Sequence, residues 1–402
     1  MNGDQGLKKV LIIAPYTLLP SEKGFNRFHY LASELVNRGH DVTLITSNFI
    51  HPYKKFRDSN IKNLVKYKLV LISEKGYKRN FSFQRITSHT QLERNIKEFV
   101  NTLSNIPDVV YCAYPLMNTA FNAGKYSKKN KIPYILDVQD IWPDSFNVVL
   151  NLPKTVFSLL VYPFSLFANK IYSMPDYLIA VSDTYLTRAQ KFTKRSCSVF
   201  IGADLEAFER LDDQLLNKEA NEIWLTYIGT LSYSYDLKTV IRASALLKNK
   251  GHSEIKVKIL GEGPDKEFLK KEALELGAPV EFLGYQDYKV MATYLNKSDI
   301  ALNSLSKNSE GSITNKLGDY LAAGLPILNS GTNKEVIDLI NDHQLGLNYN
   351  AGDEEMLVSN VEYLLNNKKE MIYYGLNSRQ LAEKKFDRKN SYKKIFQIIE
   401  QI

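Results

Sequence analysis

Ser309-Glu310-Gly311-Ser312-Ile313-Thr314-Asn315-Lys316-Leu317-Gly318-Asp319-Tyr320-Leu321-Ala322-Ala323-Gly324-Leu325-Pro326 reads as a polar loop, a short helix and a glycine stop, leading into the apolar strand Pro326-Ile327-Leu328. Ser312, Thr314 or Asn315 can cap the helix, because their side-chain oxygens accept from its first N–H groups. Those N–H groups and the helix dipole form an anion site, and Lys316 adds a full positive charge there. Asp319 follows one turn later on roughly the same face. A cation for phosphate, and then a carboxylate that accepts from neighbouring sugar hydroxyls, is the pair a nucleotide-sugar requires.

The same alternation extends in both directions. Strands read at Ile223–Ile228, Lys256–Leu260, Val280–Leu283, Ile300–Leu302 and Ile327-Leu328. Helical periodicity separates them near Leu237–Lys248, Lys266–Glu275 and Tyr288–Lys297, and helices near Met356–Leu364 and Asn390–Ile402 end the chain. The first half repeats the pattern. Lys9–Ala14 is a strand, Phe25–Arg38 a helix stopped by Gly39, and Val42–Thr46 a β-branched strand, which together make a βαβ unit and imply a parallel sheet. Further strands read at Val70–Ile72, Val109–Tyr111, Tyr134–Val138 and Tyr177–Val181. The polar, strand-poor run Asp204–Glu222 reads as a linker. The expected fold is α/β, with two doubly wound Rossmann-like parallel-sheet domains facing each other across a cleft. The expected boundaries are 1–203, 204–385 and a returning C-terminal helix at 386–402.

At 402 residues and 44% hydrophobic, the chain is long enough for two cores. Two cysteines, Cys112 and Cys197, form no disulfide framework, so a reducing compartment is expected. No signal peptide is visible, and the uncharged run Thr155–Asn169 is shorter than the ~20 residues a membrane span needs. The expected location is therefore cytoplasmic. The net charge of +8 is scattered among acids and does not read as a nucleic-acid surface. A local basic bias runs from Lys54 to Arg94 and contains Phe81 and Phe83. It reads either as a solvated face or as a patch for anionic lipid or a lipid diphosphate.

Several signals sit just after strands, where open α/β sheets bind ligands. Gly229-Thr230-Leu231 ends one strand, and Gly229 could let backbone approach a phosphate. Gly261-Glu262-Gly263-Pro264 ends the next, although a Gly-x-Gly alone is weak. The backbone near Leu283 can hydrogen-bond a base edge. In the first half Asp140 stands at a strand end, where it could contact the sugar, orient an acceptor hydroxyl or cap a helix. Arg27 could hold an acceptor phosphate or form a surface pair. His29, His40, His51 and His89 lack metal-ligand spacing and read as surface or capping residues. Neither His-Glu-x-x-His, Gly-x-x-x-x-Gly-Lys, Gly-x-Ser-x-Gly nor Asp-x-Asp occurs.

In order and spacing, Ile228-Gly229, Gly261-x-Gly263-Pro264, Phe282-x-Gly284, Asp299-Ile300 and Lys316…Asp319…Gly324-x-Pro326 resemble the nucleotide-binding half of family-4 retaining glycosyltransferases of the GT-B fold. Pro20–Arg27 resembles the family's glycine-rich acceptor-side loop, Asn37–Val42 its helix-to-strand turn, and Ile201–Asp204 its hinge. Asp137-Val138-Gln139-Asp140-Ile141-Trp142-Pro143-Asp144-Ser145 resembles a signature of the bacterial subgroup that makes surface polysaccharides such as capsule, O-antigen and exopolysaccharide. Three departures stand out. Lys23 replaces the first glycine of the loop, Gly311 stands eight residues before Asp319 where an acid is usual (with Glu310 one place off), and the hinge reads Ile201-Gly202.

The resemblance implies transfer of a hexosyl or N-acetylaminosugar group, with retention, from a nucleotide diphosphate sugar, UDP-sugar favoured, to a lipid-linked or oligosaccharide acceptor. Lys316 and Asp140 are the expected catalytic residues. Gly229, Thr230, Gly261, Gly263, Leu283, Glu310, Asn315, Lys316 and Asp319 are expected at the donor, and Gly24 and Arg27 on the acceptor side. No metal, cofactor or nucleic acid is expected, and peripheral contact with the inner face of an anionic membrane is. The rival readings are a nucleotide-sugar epimerase of the same fold and a non-catalytic nucleotide-sugar-binding protein.

Overall fold

The structure is a computed structural model that describes residues 6–20, 22, 24, 27–79, 82–146, 154–209, 216–307 and 313–402. The chain forms two compact units, Met1–Val199 with Tyr392–Ile402, and Phe200–Ser391.

The first unit holds a parallel sheet built from β1 (Lys9–Ile13), β2 (Asp41–Ser47), β5 (Lys68–Ile72), β6 (Val109–Tyr114), β7 (Tyr134–Val138), β8 (Tyr177–Ala180) and β9 (Ser196–Ser198). Its order is β5-β2-β1-β6-β7-β8-β9, and every pairing is parallel. A short antiparallel hairpin, β3 (Phe49–Ile50) and β4 (Lys55–Phe56), follows β2. The central strands are buried along their whole length, as apolar runs covered by helices on both faces must be. One face packs the Arg27–Asn37 helix and the C-terminal Lys393–Gln401 helix, whose Ile395, Phe396, Ile398 and Ile399 enter the same core as Leu31 and Leu35. The other face packs the Phe83–Asn101, Met117–Asn130 and Lys154–Tyr172 helices.

The second unit has a parallel sheet of β10 (Ile223–Ile228), β11 (Ile255–Leu260), β12 (Val280–Gly284), β13 (Ile300–Asn303), β14 (Ile327–Asn329) and β15 (Gly346–Asn348) in the order β12-β11-β10-β13-β14-β15. Its two faces carry separate cores, one around Leu317, Tyr320 and Phe386 and one around Tyr227, Val240 and Val358.

The units meet at Val199/Phe200 and Ser391/Tyr392, not at 203/204 and 385/386. The segment read as a linker from Asp204 begins as a helix, Leu205–Glu209, that buries Leu205 and Phe208 in the second unit's core. Glu206 and Glu209 lie on that helix's exposed face. The two crossing segments lie side by side. Ala203 N donates to Phe386 O, Arg388 N donates to Ala203 O, and Phe200 stacks on Phe386 at 4.7 Å. Gly202, at φ 69°, passes so close that a Cβ would stand 2.4 Å from Phe386 O.

Candidate functional site

In the second sheet the strand order reverses at β10, which pairs with β11 on one side and β13 on the other. Such a reversal opens a crevice beyond the carboxyl ends of the two inner strands. Here β10 and β13 share only the pairs Leu225/Ile300 and Thr226/Ala301 and then separate. Tyr320 fills the gap. Its hydroxyl accepts from Ile228 N at 3.0 Å and donates to Leu302 O at 3.0 Å, so one phenol satisfies both strands and fixes the Asn315–Ala322 helix over the crevice.

The loop ends around this crevice interlock through glycine. A Cβ on Gly261 would stand 1.8 Å from Gly229 O, and one on Gly263 would stand 2.0 Å from Leu231 O. The contact engages backbone donors. Gly229 N donates to Leu260 O, Leu231 N donates to Glu262 O, and Gly261 N donates to Gly284 O. The expectation that N–H groups along Gly229–Leu231 bind phosphate is corrected accordingly, because two of the three are already bonded. Gly261 and Gly263 are packing glycines that allow β11's loop to lie on β10's. Thr230 stands exposed at the mouth.

Lys316 enters this corner from the helix. It is 7% exposed, and its Nζ lies 2.9 Å from the Tyr227 hydroxyl, 3.6 Å from the Tyr235 ring centroid and 4.3 Å from that of Tyr227. A Cβ on Gly229 would touch Nζ at 2.9 Å, so only glycine leaves room for the ammonium. Among the described residues no carboxylate pairs with it. Burial holds its pKa well below the ordinary lysine value. The sequence reading treats Lys316 as a permanent cation. The structure makes it a conditional one, supported among the described residues by two aromatic faces and a phenol oxygen. The helix start beside it is equally unsatisfied. Thr314 is the N-cap residue, its side chain makes no cap bond, and its hydroxyl is buried without a partner. Asn315 is exposed at the first helical position. Glu310 and Ser312 lie outside the described residues.

Asp319 is buried on the next turn and accepts from the Tyr288 hydroxyl at 2.7 Å. Burial pushes its carboxyl up to about 6 against the opposing pull of that bond and of Arg388. Leu283 sits where the β11–β12 register slips, with Ile259 opposite Phe282 but Leu260 opposite Gly284. Its backbone is thereby displaced from the regular ladder, and its carbonyl accepts from Gln286 Nε2 at 2.6 Å.

The first unit's expected residues divide differently. Arg27 is buried and turned inward, its Nε 2.8 Å from Asp137 Oδ2 and a further nitrogen 2.9 Å from the Tyr392 hydroxyl. An acceptor-facing cation at Arg27 is therefore corrected to a structural ion pair joining the first helix, β7 and the C-terminal segment. Gly24 is exposed at φ 115°. Asp140 caps its own turn, with Oδ1 accepting from Ile141 N at 2.7 Å and Oδ2 from Trp142 Nε1 at 2.9 Å. Burial raises its pKa despite those bonds. His51 and His89, read as surface or capping residues, instead meet in a part-buried cluster with Tyr16, Glu74 and Tyr77. No spacing signals this, because the partners come from three strand ends and a helix. Among the described residues no three His, Cys, Asp or Glu side chains could hold a metal ion.

Residues 208–381, which carry Gly229, Gly261, Lys316 and Asp319, match the family described as glycosyl transferases group 1. An uncharacterized glycosyltransferase of Methanocaldococcus jannaschii is 26% identical over 239 residues, or 56% of this chain, and the chain spans 59% of that relative's length. Among solved structures, sucrose-phosphate synthase of Thermosynechococcus elongatus superposes with a TM-score of 0.73 at 15% identity, covering 98% of each chain. Anabaena HepE in complex with UDP and glucose superposes at 0.68 and 14% identity, over 98% of this chain and 100% of that one. WaaG, a glycosyltransferase involved in lipopolysaccharide biosynthesis, superposes at 0.68 and 14% identity with the same coverage. The chain has the GT-B fold. The group 1 match and these neighbours support a glycosyltransferase.

Proposed function

We propose that this protein is a family-4 retaining glycosyltransferase that moves a hexosyl or N-acetylaminosugar group from a UDP-sugar to a lipid-linked or oligosaccharide acceptor in bacterial surface polysaccharide synthesis. The observation that carries the reading is Lys316, a buried amine without an acid partner among the described residues, beside an uncapped helix start at a strand-order reversal. Among the described residues this corner holds no anion. A diphosphate supplies the charge that restores the ammonium, and the opening N–H groups of a helix add a partial positive charge to the same corner. Negative charge on the diphosphate grows as the glycosidic C–O bond breaks. Lys316 and the helix start then stabilise the transition state more than the ground state, which is catalysis. The departing phosphate oxygen takes the acceptor's proton. Asp319 accepts from the ribose, the displaced backbone at Leu283 meets the base, and Asp140 is the acceptor-side carboxylate. The neighbours HepE, crystallised with UDP-glucose, and trehalose-6-phosphate enzyme of E. coli, crystallised with UDP-2-fluoro glucose, support UDP as the carrier.

A thermal-shift screen of nucleotide-sugars, followed by donor hydrolysis with enzyme in excess, tests this. The true donor at ~100 times its dissociation constant adds roughly 2.7 kcal/mol. The expected result is one UDP-sugar that both stabilises and is hydrolysed. Stabilisation without hydrolysis or transfer would identify a binding protein instead.

Membrane contact belongs to the same proposal. No described helix is long and apolar enough to cross a bilayer. The Lys154–Tyr172 helix nevertheless exposes Leu159, Leu160, Tyr162 and Phe164, with Leu159 79% exposed. Exposed Lys125, Lys128, Lys129 and Lys170 stand on it and on the adjoining Met117–Asn130 helix, joined through Phe121 and Phe167 at 5.1 Å. An apolar helical face beside lysines fits the surface of an anionic bilayer. In this reading the contact lies on a different surface from the Lys54–Arg94 run expected from charge alone. Binding to anionic but not neutral vesicles, abolished by Leu159→Glu with Phe164→Glu, is expected; equal binding by that variant would refute the placement.

A further inference from the structure

At the carboxyl ends of β1, β2 and β5 the first unit has a cavity of about 300 Å³ lined by Tyr16, His51, Pro52, Lys54, Tyr77 and Arg85. Its lining residues belong to the first unit, whereas Lys316 belongs to the second. Each wall has a fixed origin. Lys54 ends the turn of the β3–β4 hairpin at φ 55°, held there by its N–H donating to Ile50 O at 2.8 Å. That turn sets its ammonium 4.4 Å over the Tyr77 ring, and the Arg85 guanidinium lies 5.7 Å from the same ring. The Tyr77 hydroxyl is 3.0 Å from His51 Nδ1, and the Tyr16 hydroxyl is 3.1 Å from His89 Nδ1. Tyr16 meets His51 edge-on at 4.2 Å.

Glu74 is the acid of the cluster, and it is used beneath it. Its Oε1 lies 3.0 Å from His51 Nε2, and Ser47 and Ser88 both donate to it. Its side chain is fully buried. Among the described residues no carboxylate lies within ion-pair distance of Lys54. Burial keeps His51 and His89 below the ordinary imidazole value, and Lys54 and Arg85 press in the same direction. Two basic side chains over one tyrosine, ringed by phenol and imidazole groups at strand carboxyl ends, form a site for an anion with several oxygens.

We propose that this cavity binds a phosphate or diphosphate ester, the anionic group of the acceptor, with Lys54 and Arg85 as its charge partners and Tyr16 and Tyr77 as its aromatic walls. The proposal rests on the glycosyltransferase reading for the word acceptor, but the anion site is testable without it. The same chemistry is offered by a prenyl diphosphate or by a soluble sugar phosphate, and the probes separate the two.

The experiment titrates the full-length protein with inorganic pyrophosphate, glucose 1-phosphate, geranyl diphosphate and geraniol, each in the presence of saturating UDP. Lys54→Met and Arg85→Met are run in parallel, with UDP affinity as the measure of an intact fold and donor site. The expected result is binding of the phosphate-bearing probes but not of geraniol. Each variant should weaken that binding at least tenfold, and UDP affinity should stay within twofold. Geranyl diphosphate binding more tightly than glucose 1-phosphate assigns a lipid-linked source; the reverse assigns a soluble one. Binding that is lost when UDP saturates its own site, that ignores both substitutions or that is absent altogether would overturn the proposal. Failure of UDP itself to bind wild type would instead overturn the donor reading and leave the pocket result standing on its own.

Discussion

Arg27 and Lys316 are buried to nearly the same extent, 4% and 7% exposed, one in each unit. Their surroundings are opposite. Arg27 sits against a fully buried carboxylate, Asp137, that also accepts from Tyr111 at 2.5 Å and Gln139 at 2.5 Å. Lys316 sits against two aromatic rings and a phenol. The electrostatic consequences follow: Asp137 raises the Arg27 pKa against its burial, and burial alone depresses that of Lys316. Among the described residues, the other buried Lys and Arg side chains also find oxygens, Lys258 at Glu281 and Arg388 at backbone carbonyls. Burial by itself therefore does not mark a functional cation. Burial with neither a carboxylate nor a carbonyl among the described residues does.

The largest effect expected from this contrast is on stability. Arg27→Met leaves Asp137 buried without its partner, which costs about 3–5 kcal/mol. The chain has two tryptophans, Trp142 in the first unit and Trp224 in the second, so unfolding of each unit can be followed in single-tryptophan variants. The Trp142 transition should shift, and adding Asp137→Leu should recover part of the loss. A shift below about 1 kcal/mol would mean that Arg27 is not the structural cation described here.

Lys316→Met should act on function instead. Loss of a charge-assisted bond of roughly 1.5–3 kcal/mol lowers nucleoside diphosphate affinity about ten- to a hundredfold. Turnover should fall further, while the Trp224 transition stays unchanged or rises, because an isolated buried amine is removed. Tight diphosphate binding by this variant would erase the distinction between the two cations.

The same contrast has a pH signature. Lys316 is held low in the free protein, and a bound diphosphate raises it, so binding takes up a proton between those two values. Affinity should then fall as pH rises through that window, by at most about tenfold per unit for one proton. Calorimetry in buffers of different ionisation enthalpy measures the uptake directly. Lys316→Met should show none.

The smallest effect is expected at Asp319. Its folded carboxyl is raised from 3.8 to about 6, so the unfolded chain loses that proton first. Stability of the second unit should decline as pH rises from about 4 to 6 and then level off. Asp319→Asn should flatten that slope in the Trp224 melting temperature and raise the donor KM several-fold. An unchanged slope would place the titration elsewhere.

The fold was legible wherever apolar runs and helical periodicity were long, as at Ile223–Ile228 or Phe28 to Val36. The edge strands Ser196–Ser198 and Gly346–Asn348 were not, because three residues with a single apolar side chain, Cys197 or Leu347, are too short to carry a period. The placing of Lys316 and Asp319 on one short helix was legible, because their spacing is local. It was not legible where partners are remote. Nothing near Arg27 in sequence announces Asp137, 110 residues on. Nothing in Gly229-Thr230-Leu231 shows that its N–H groups are spoken for by another strand's loop. The cluster of Tyr16, His51, Glu74 and His89 is assembled by strand order, which spacing does not encode.

The last helix has a consequence for how the protein is made. Tyr392–Ile402 completes the first unit's core, yet it leaves the ribosome only after all of Phe200–Ser391. At ~5–20 residues per second, the groove around Leu31, Leu35 and Tyr111 stands uncovered for roughly ten seconds or more during synthesis. The amino-terminal half of this chain thus emerges first and finishes last, and it must be kept from aggregating through the interval in which its own closing segment does not yet exist.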